Sequence, residues 1–112
     1  METTRQKKVS RVILRELGTY FQRNANSYAK GGMITVTAVR VSPDLGIAKV
    51  YLSIFAVPDK QAVLALVKER TWEVRKYLAN ERNELRVAPE LMFFLDDSLD
   101  HIERIDQLLK GD

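Results

Sequence analysis

Hydrophobic residues recur along the chain with two different periods, and these periods predict its helices and strands. From about Thr4 to Asn26 the apolar side chains recur at helical spacing: Val9, Val12, Ile13, Leu17, Tyr20 and Phe21. At about 100° per residue, four cations fall on the opposite face: Lys7, Lys8, Arg11 and Arg15. The pattern predicts an amphipathic first helix with a basic outer face, which ends at Gly31 and Gly32.

The next two segments have the features of strands. Met33–Val41 is rich in β-branched residues, and Ile47–Phe55 alternates apolar with more polar positions. The turn-forming residues 42–46 separate them, so we predict an antiparallel hairpin. The alternation changes phase between Val36 and Val39, which indicates a β-bulge near Ala38.

A second long helix is predicted to follow Pro58, with Asp59 as its N-cap. Its apolar stripe consists of Val63, Val67, Val74 and Leu78. A straight helix would place Arg70 in this stripe, where an unpaired charge is costly. Two alternatives stay open: Arg70 extends outward to solvent, or the helix bends near residues 70–72.

The last part of the chain predicts a strand and a short helix. Residues 85–95 alternate in part, and Pro89 indicates an edge position or a break in this third strand. Residues 96–98 can cap a final helix with four inward apolar side chains: Leu99, Ile102, Ile105 and Leu109. The order α-β-β-α-β-α predicts one domain, residues 1–112. Its fold class is α+β, a two-layer sandwich with helices packed on one face of a three-stranded sheet.

Charge is distributed unevenly along the chain. The formal net charge is +3, but residues 1–30 carry seven basic side chains against two acidic ones, a net charge of +5. Residues 89–112 carry two basic against seven acidic side chains, a net charge of −5. This layout is expected of a protein that turns one side toward a polyanion and keeps the other away from it.

The residues that could carry catalysis do not form a recognisable constellation. Cysteine is absent, and no Walker loop, dinucleotide fingerprint or serine nucleophile motif occurs. Asp96, Asp97 and Asp100 are better explained as acids at a helix N-terminus than as metal ligands. His101, the only histidine, lacks an orienting partner for general-base work. We therefore expect no enzyme, cofactor, metal or small-molecule substrate. The first residues lack the apolar run of a secretory signal, and no apolar stretch approaches the length of a membrane span. We accordingly expect a cytoplasmic protein, and we expect it to be a monomer.

The basic side chains of the second helix favour RNA binding. Lys68, Arg75 and Arg82 are seven residues apart and would lie near one line of a straight helix, with Trp72 and Lys76 among them. Cations bind phosphates, and a base can stack on an exposed indole. The alternatives are that Trp72 packs into the core and that the charges only solvate a surface. The predicted RNA-binding residues, from two helical surfaces on the same exterior side, are Lys7, Lys8, Arg11, Arg15, Lys68, Arg70, Trp72, Arg75, Lys76, Arg82 and Arg86.

Three sequence blocks resemble the bacterial ribosome-binding factor A family. Residues 41–45 read Val-Ser-Pro-Asp-Leu and are continued by Ala-Lys-Val-Tyr at 48–51. Arg-Val-Ala-Pro-Glu-Leu at 86–91 and Glu-Arg-Ile-Asp at 103–106 follow in the same order. The resemblance covers roughly residues 5–109 and implies a type II KH-like fold. It also implies binding to the immature small (30S) ribosomal subunit, with assistance to 16S rRNA 5′-end maturation, especially in the cold.

One segment departs from the family pattern. KH domains that grip RNA use a Gly-x-x-Gly loop between two helices. The family carries a kinked Ala-x-Gly segment there, whereas this chain has Arg-Thr-Trp at residues 70–72.

The alternative function is a protein-interaction module that uses the sheet edge or the acidic last helix, through Asp100, Glu103 and Asp106.

Overall fold

The structure is a computed structural model and describes residues 2–80, 85 and 88–96. The helices are α1 (Thr4–Tyr28), α2 (Lys60–Glu69) and α3 (Thr71–Asn80). The strands are β1 (Met33–Val41), β2 (Ile47–Phe55) and β3 (Glu90–Leu95). The predicted last helix lies outside the described residues, as do Arg82 and Arg86.

α1 covers nearly the residues that were predicted for the first helix. Its N-terminus is also stabilised by a cap that the hydrophobic pattern did not predict. Thr3 and Gln6 form a capping box in which each side chain accepts a hydrogen bond from the other residue's backbone N–H. Ile13, Leu17 and Phe21 are fully buried. The predicted amphipathic helix is confirmed.

The hairpin is also confirmed. β1 and β2 pair antiparallel, and their register shifts between Val36 and Ala38, where the bulge was predicted. Inward residues of both strands are buried, and most residues between them are exposed or half-buried. Gly32 lies just before β1, where an added Cβ would come within 2.7 Å of the Phe55 carbonyl oxygen, so the close backbone approach excludes a side chain.

The third strand is shorter than predicted, because pairing begins only after Pro89. β3 pairs with β2 in parallel, which places it at the edge of a mixed sheet with the order β1-β2-β3. A proline lacks the N–H that a ladder needs, so the strand starts at Glu90. The edge position predicted from Pro89 is confirmed.

The long middle helix is two helices. α2 begins at its predicted cap, because the Asp59 carboxylate accepts a hydrogen bond from the Ala62 N–H. It ends at Glu69, and Arg70 leaves the helical conformation (φ −102°, ψ 24°) before α3 begins. The bent alternative is therefore correct, even though residues 70–72 contain neither glycine nor alanine.

The helices pack on one face of the sheet around a single core. The core joins Leu17 and Phe21 of α1 to Leu52 of β2, and Val67 of α2 to Val74 of α3. The other face of the sheet carries a stacked pair, Tyr51 and Phe94. The predicted α+β two-layer sandwich is confirmed. Within the described segments, no helix is both long and apolar enough to cross a membrane.

Candidate nucleic-acid interface

The predicted basic face of α1 is exposed. Lys7, Lys8, Arg11 and Arg15 all lie at the surface. Lys8, Arg11 and Arg15 follow an i, i+3, i+7 spacing, so they form one cationic stripe along the helix. Arg15 also pairs with its neighbour Glu16 through Nε at 3.3 Å, in an exposed contact that solvent weakens.

On α3, three of the predicted residues share one exposed face. Trp72, Arg75 and Lys76 are separated by three and four residues, which places them on the same side of the helix. The indole of Trp72 is 65% exposed, so it is outside the core and accessible to a partner. This exposure excludes the alternative that Trp72 packs into the core.

The straight helix that the predicted basic row requires is interrupted between Lys68 and Arg75. Lys68 is exposed on α2, but the interruption at Arg70 separates it from Arg75 on α3. The prediction of a single line was wrong because it required a straight helix. Arg75 and Lys76 are near each other on one turn, whereas Lys68 belongs to a different helix.

Arg70 has a structural role within the chain. Its guanidinium carbon lies 4.1 Å from the ring centroid of Tyr28, and its Nη1 donates to the Ser27 carbonyl at 2.9 Å and to the Ser27 Oγ at 2.8 Å. Its Nε and Nη2 donate to the two carboxylate oxygens of Glu73. The hydrogen bonds from Arg70 hold the pKa of the Glu73 carboxyl below its usual range. The RNA role of Arg70 stays a prediction.

Cations from α1 and α3 meet at one cleft, which we call the α1–α3 cleft. Its basic side chains are Arg5 and Lys8 from α1 and Arg75 from α3. Val9, Val12, Leu45 and Pro89 form its apolar wall, and Asp44 and Glu90 add carboxylates. Its volume of about 780 Å³ lies within the range of roughly 300–1,000 Å³ found for ligand sites. Lys8 of α1 and Arg75 of α3 therefore line the same cleft. At these two residues the placement agrees with two basic helical surfaces on one exterior side.

Three charged residues of the cleft were not among the residues predicted from the sequence. Arg5 lies three residues before Lys8, so the helical period could have added it to the basic face. Asp44 and Glu90 come from a turn and a strand end that are far apart in sequence, and the Glu90 N–H donates to the Gly46 carbonyl at 2.9 Å. Only the sheet brings these two carboxylates together.

The metal and protein-interaction alternatives fall mostly on the undescribed part of the chain. Five of their residues lie in this undescribed part: Asp97, Asp100, His101, Glu103 and Asp106. Among residues 2–80, 85 and 88–96, no group of three or more His, Cys, Asp or Glu side chains could hold a metal ion. Asp96 accepts a hydrogen bond from Thr37 Oγ1 at 2.5 Å.

The helix order and the mixed sheet define a small α+β domain of the KH-like type. The sequence profile described as Ribosome-binding factor A matches residues 5–109. A relative from Cytophaga hutchinsonii, named Ribosome-binding factor A, is 42% identical over 97% of this chain and 83% of its own. One from Flavobacterium johnsoniae with the same name is 41% identical over 99% of this chain and 87% of its own. The chain belongs to the ribosome-binding factor A family, which is a family of ribosome-binding factors and not of enzymes.

Solved structures of the same family share the fold. The crystal structure of ribosome-binding factor A from Thermus thermophilus gives a TM-score of 0.68 at 23% identity, covering 80% of this chain and 93% of that one. A homology model of the Thermus protein, fitted into the cryo-EM map of its complex with the 30S subunit, gives 0.61 at 22% identity. It covers 87% of this chain and 97% of that one. At these identities the likeness establishes the fold alone.

Proposed function

We propose that this protein binds the immature small ribosomal subunit through 16S rRNA and assists maturation of the rRNA 5′ end, without catalysing a reaction. The observation that carries the proposal is the meeting of α1 and α3 cations at the α1–α3 cleft, in a chain of this family. The 30S complex of the Thermus relative supports the same partner. The protein would act in the cytoplasm as a monomer.

The mechanism is occupancy of one RNA conformation. The stripe of Lys8, Arg11 and Arg15 neutralises phosphates, and Arg75 and Lys76 extend this contact on α3. The exposed indole of Trp72 offers a stacking surface for an unpaired base. A ligand shifts an equilibrium only by its differential affinity for the two states, so release follows when mature rRNA no longer presents the site. Trapped rRNA conformers are longer-lived in the cold, where the factor would matter most.

The test is co-sedimentation of the purified protein with immature 30S subunits at increasing salt. We expect association to fall steeply as salt rises, because displaced counterions drive the binding. Mature subunits, tested in parallel, should retain less protein. Association that is insensitive to salt, or absent at low salt, would contradict the proposal.

Charge-matched variants locate the interface. Arg11→Glu with Arg15→Glu, and separately Arg75→Glu with Lys76→Glu, should each weaken association at least about tenfold. The control is Arg40→Glu with Lys49→Glu, because both side chains are exposed on the strands and the change in net charge is the same. If the control loses as much affinity as the helix variants, the binding is non-specific attraction.

A further inference from the structure

The α1–α3 cleft contains charges of both signs, which a simple phosphate site would not favour. Arg5, Lys8 and Arg75 attract phosphate, but Asp44 and Glu90 border the same space and repel it. Carboxylates in a nucleic-acid site are suited to a different task, because they accept hydrogen bonds from base N–H groups. The mixture therefore indicates that a base, and not only the backbone, enters the cleft.

Asp44 is held in place as an ionised acceptor. Its Oδ1 accepts hydrogen bonds from Ser42 Oγ at 2.6 Å and from the Gly46 N–H at 3.0 Å. The hydrogen bond from Ser42, followed by the one from Gly46, keeps the pKa of the carboxyl below its ordinary value. The carboxylate is thus charged and oriented before any ligand arrives, which reduces the entropy lost on binding.

The turn that carries Asp44 adopts an unusual backbone conformation. Leu45 has φ +63°, in the left-handed region that non-glycine residues rarely adopt, and its side chain forms part of the apolar wall. Such conformations persist only where the surrounding structure enforces them, and they cluster at ligand sites. Hydrogen bonds enforce this one, since the Leu45 N–H donates to the Ser42 carbonyl and the Glu90 N–H to that of Gly46, each at 2.9 Å.

A cation of the cleft is also held in place. Arg75 Nη2 donates to the Ala88 carbonyl at 3.3 Å, so its guanidinium is held near the chain that leads into β3. Val9, Val12 and Pro89 add apolar surface to the same cleft. Apolar side chains of this kind can pack against the face of a base that has left its stack.

We propose that the α1–α3 cleft binds one unstacked guanine of single-stranded RNA, with Asp44 reading its Watson–Crick edge. This inference rests on the proposed function and specifies the chemistry of its site. Guanine presents two adjacent donors, N1–H and N2–H, and Asp44 accepts them through Oδ2, because Oδ1 already accepts from Ser42 and Gly46. The amino groups of adenine and cytosine lie beside a ring-nitrogen acceptor that a carboxylate repels. Uracil has a single N–H between two carbonyls. Arg5 and Arg75 contact the phosphates that flank the guanosine.

The test compares two oligouridines of nine residues that carry a single central guanosine or a single central adenosine. Binding of the full chain to each is measured by fluorescence anisotropy. We expect the guanosine oligonucleotide to bind about tenfold more tightly, as a good base contact gives. In Asp44→Asn the Oδ1 acceptor for the turn remains, while an amide donor replaces the second oxygen. The guanosine preference should then fall to about one.

Asp44→Asn distinguishes base reading from charge attraction. Base reading predicts that the guanosine preference is lost, whereas charge attraction predicts tighter binding of both oligonucleotides. Asp44→Asn removes a negative charge, so attraction alone would tighten binding to both oligonucleotides. The control Asp59→Asn removes the same charge at the α2 cap, where asparagine also caps well, and should keep the guanosine preference.

Three outcomes would overturn the inference: equal binding of both oligonucleotides, no binding of either, or a guanosine preference that survives in Asp44→Asn. The same preparations are assayed for salt-dependent 30S association. If this association persists while the guanosine preference is missing, the guanine site is wrong and the proposed function stands. If 30S association is itself absent, the proposed function fails.

Discussion

At the scale of single residues, Arg70 and Tyr28 connect the interruption of the middle helix to the core. The Arg70 guanidinium covers the Tyr28 ring, and the Tyr28 hydroxyl lies 2.6 Å from that of Tyr20 inside the protein. Burial raises the pKa of the Tyr28 hydroxyl above its usual value, and the hydrogen bond with Tyr20 adds to the rise. The phenol is therefore stabilised in its neutral form in the folded state.

The change Tyr28→Phe is expected to lower the free energy of unfolding by about 1 kcal/mol, because it leaves the buried Tyr20 hydroxyl without its partner. Urea unfolding at neutral pH measures this difference. Tyr20→Phe with Tyr28→Phe is the control, and it should cost less than the sum of the single changes.

The same residue gives a pH dependence. With a folded-state pKa raised above the unfolded value of about 10, the Tyr28 contribution is complete below pH 10 and is lost as pH rises toward the folded-state pKa. Unfolding free energies of the wild type should therefore fall more steeply than those of Tyr28→Phe as the pH rises above about 10. Parallel curves for the two proteins would contradict this expectation.

At the scale of elements, the interruption between α2 and α3 is stabilised without glycine or proline. The Thr71 hydroxyl donates to the Lys68 carbonyl at 2.7 Å and lies 3.3 Å from the Val67 carbonyl. These carbonyls end α2 and lack helical partners of the usual kind. Arg70 contributes from outside the helix through its contacts with Ser27 and Tyr28.

Replacing Thr71 by valine should lower the free energy of unfolding by about 1 kcal/mol, because the shape is kept and the hydroxyl is lost. Thr71→Ser, which keeps the hydroxyl, is the matched control and should lose less than half as much. Thermal or urea unfolding distinguishes them. Equal losses would show that the methyl group, and not the hydrogen bonds, supports the interruption.

At the scale of the whole molecule, Gln6 joins the start of the chain to the end of the hairpin's first strand. Its Nε2 donates to the Val41 carbonyl at 2.8 Å in a buried contact, while its Oε1 accepts from the Thr3 N–H at 2.8 Å. The same side chain therefore caps α1 and fixes the helix against the sheet beside the Ser42–Gly46 turn. The α1–α3 cleft depends on this placement.

The change Gln6→Met should lower the free energy of unfolding by about 2 kcal/mol, since it leaves the buried Val41 carbonyl unpaired and removes part of the cap. It should also weaken 30S association, because Arg5 and Lys8 are carried by the same turn of α1. Gln22→Met, on the exposed part of the helix, is the control and should change neither quantity. A stable Gln6→Met protein would show that the contact is dispensable.

The elements with periodic patterns could be predicted from the amino-acid sequence. The bounds of the hairpin, its bulge and the α2 cap follow from local alternation and local hydrogen bonding, so neighbours along the chain contain the information. The basic face of α1 and the exposure of its cations follow from the same period. The family resemblance was also present in the sequence, as the match over residues 5–109 confirms.

How these elements meet depends on contacts between residues that are far apart in the chain. Periodicity left the Arg70 region open, because the choice between a straight and a bent helix depends on Ser27, Tyr28 and Glu73, and Ser27 lies 43 residues away. The parallel pairing of β3 depends likewise on β2. That Asp44 and Arg75 line the same cleft could not be predicted, since each residue alone has the signature of a turn or of a solvated helix face. Long-range packing sets such contacts, and a local pattern of hydrophobic and polar residues does not contain them.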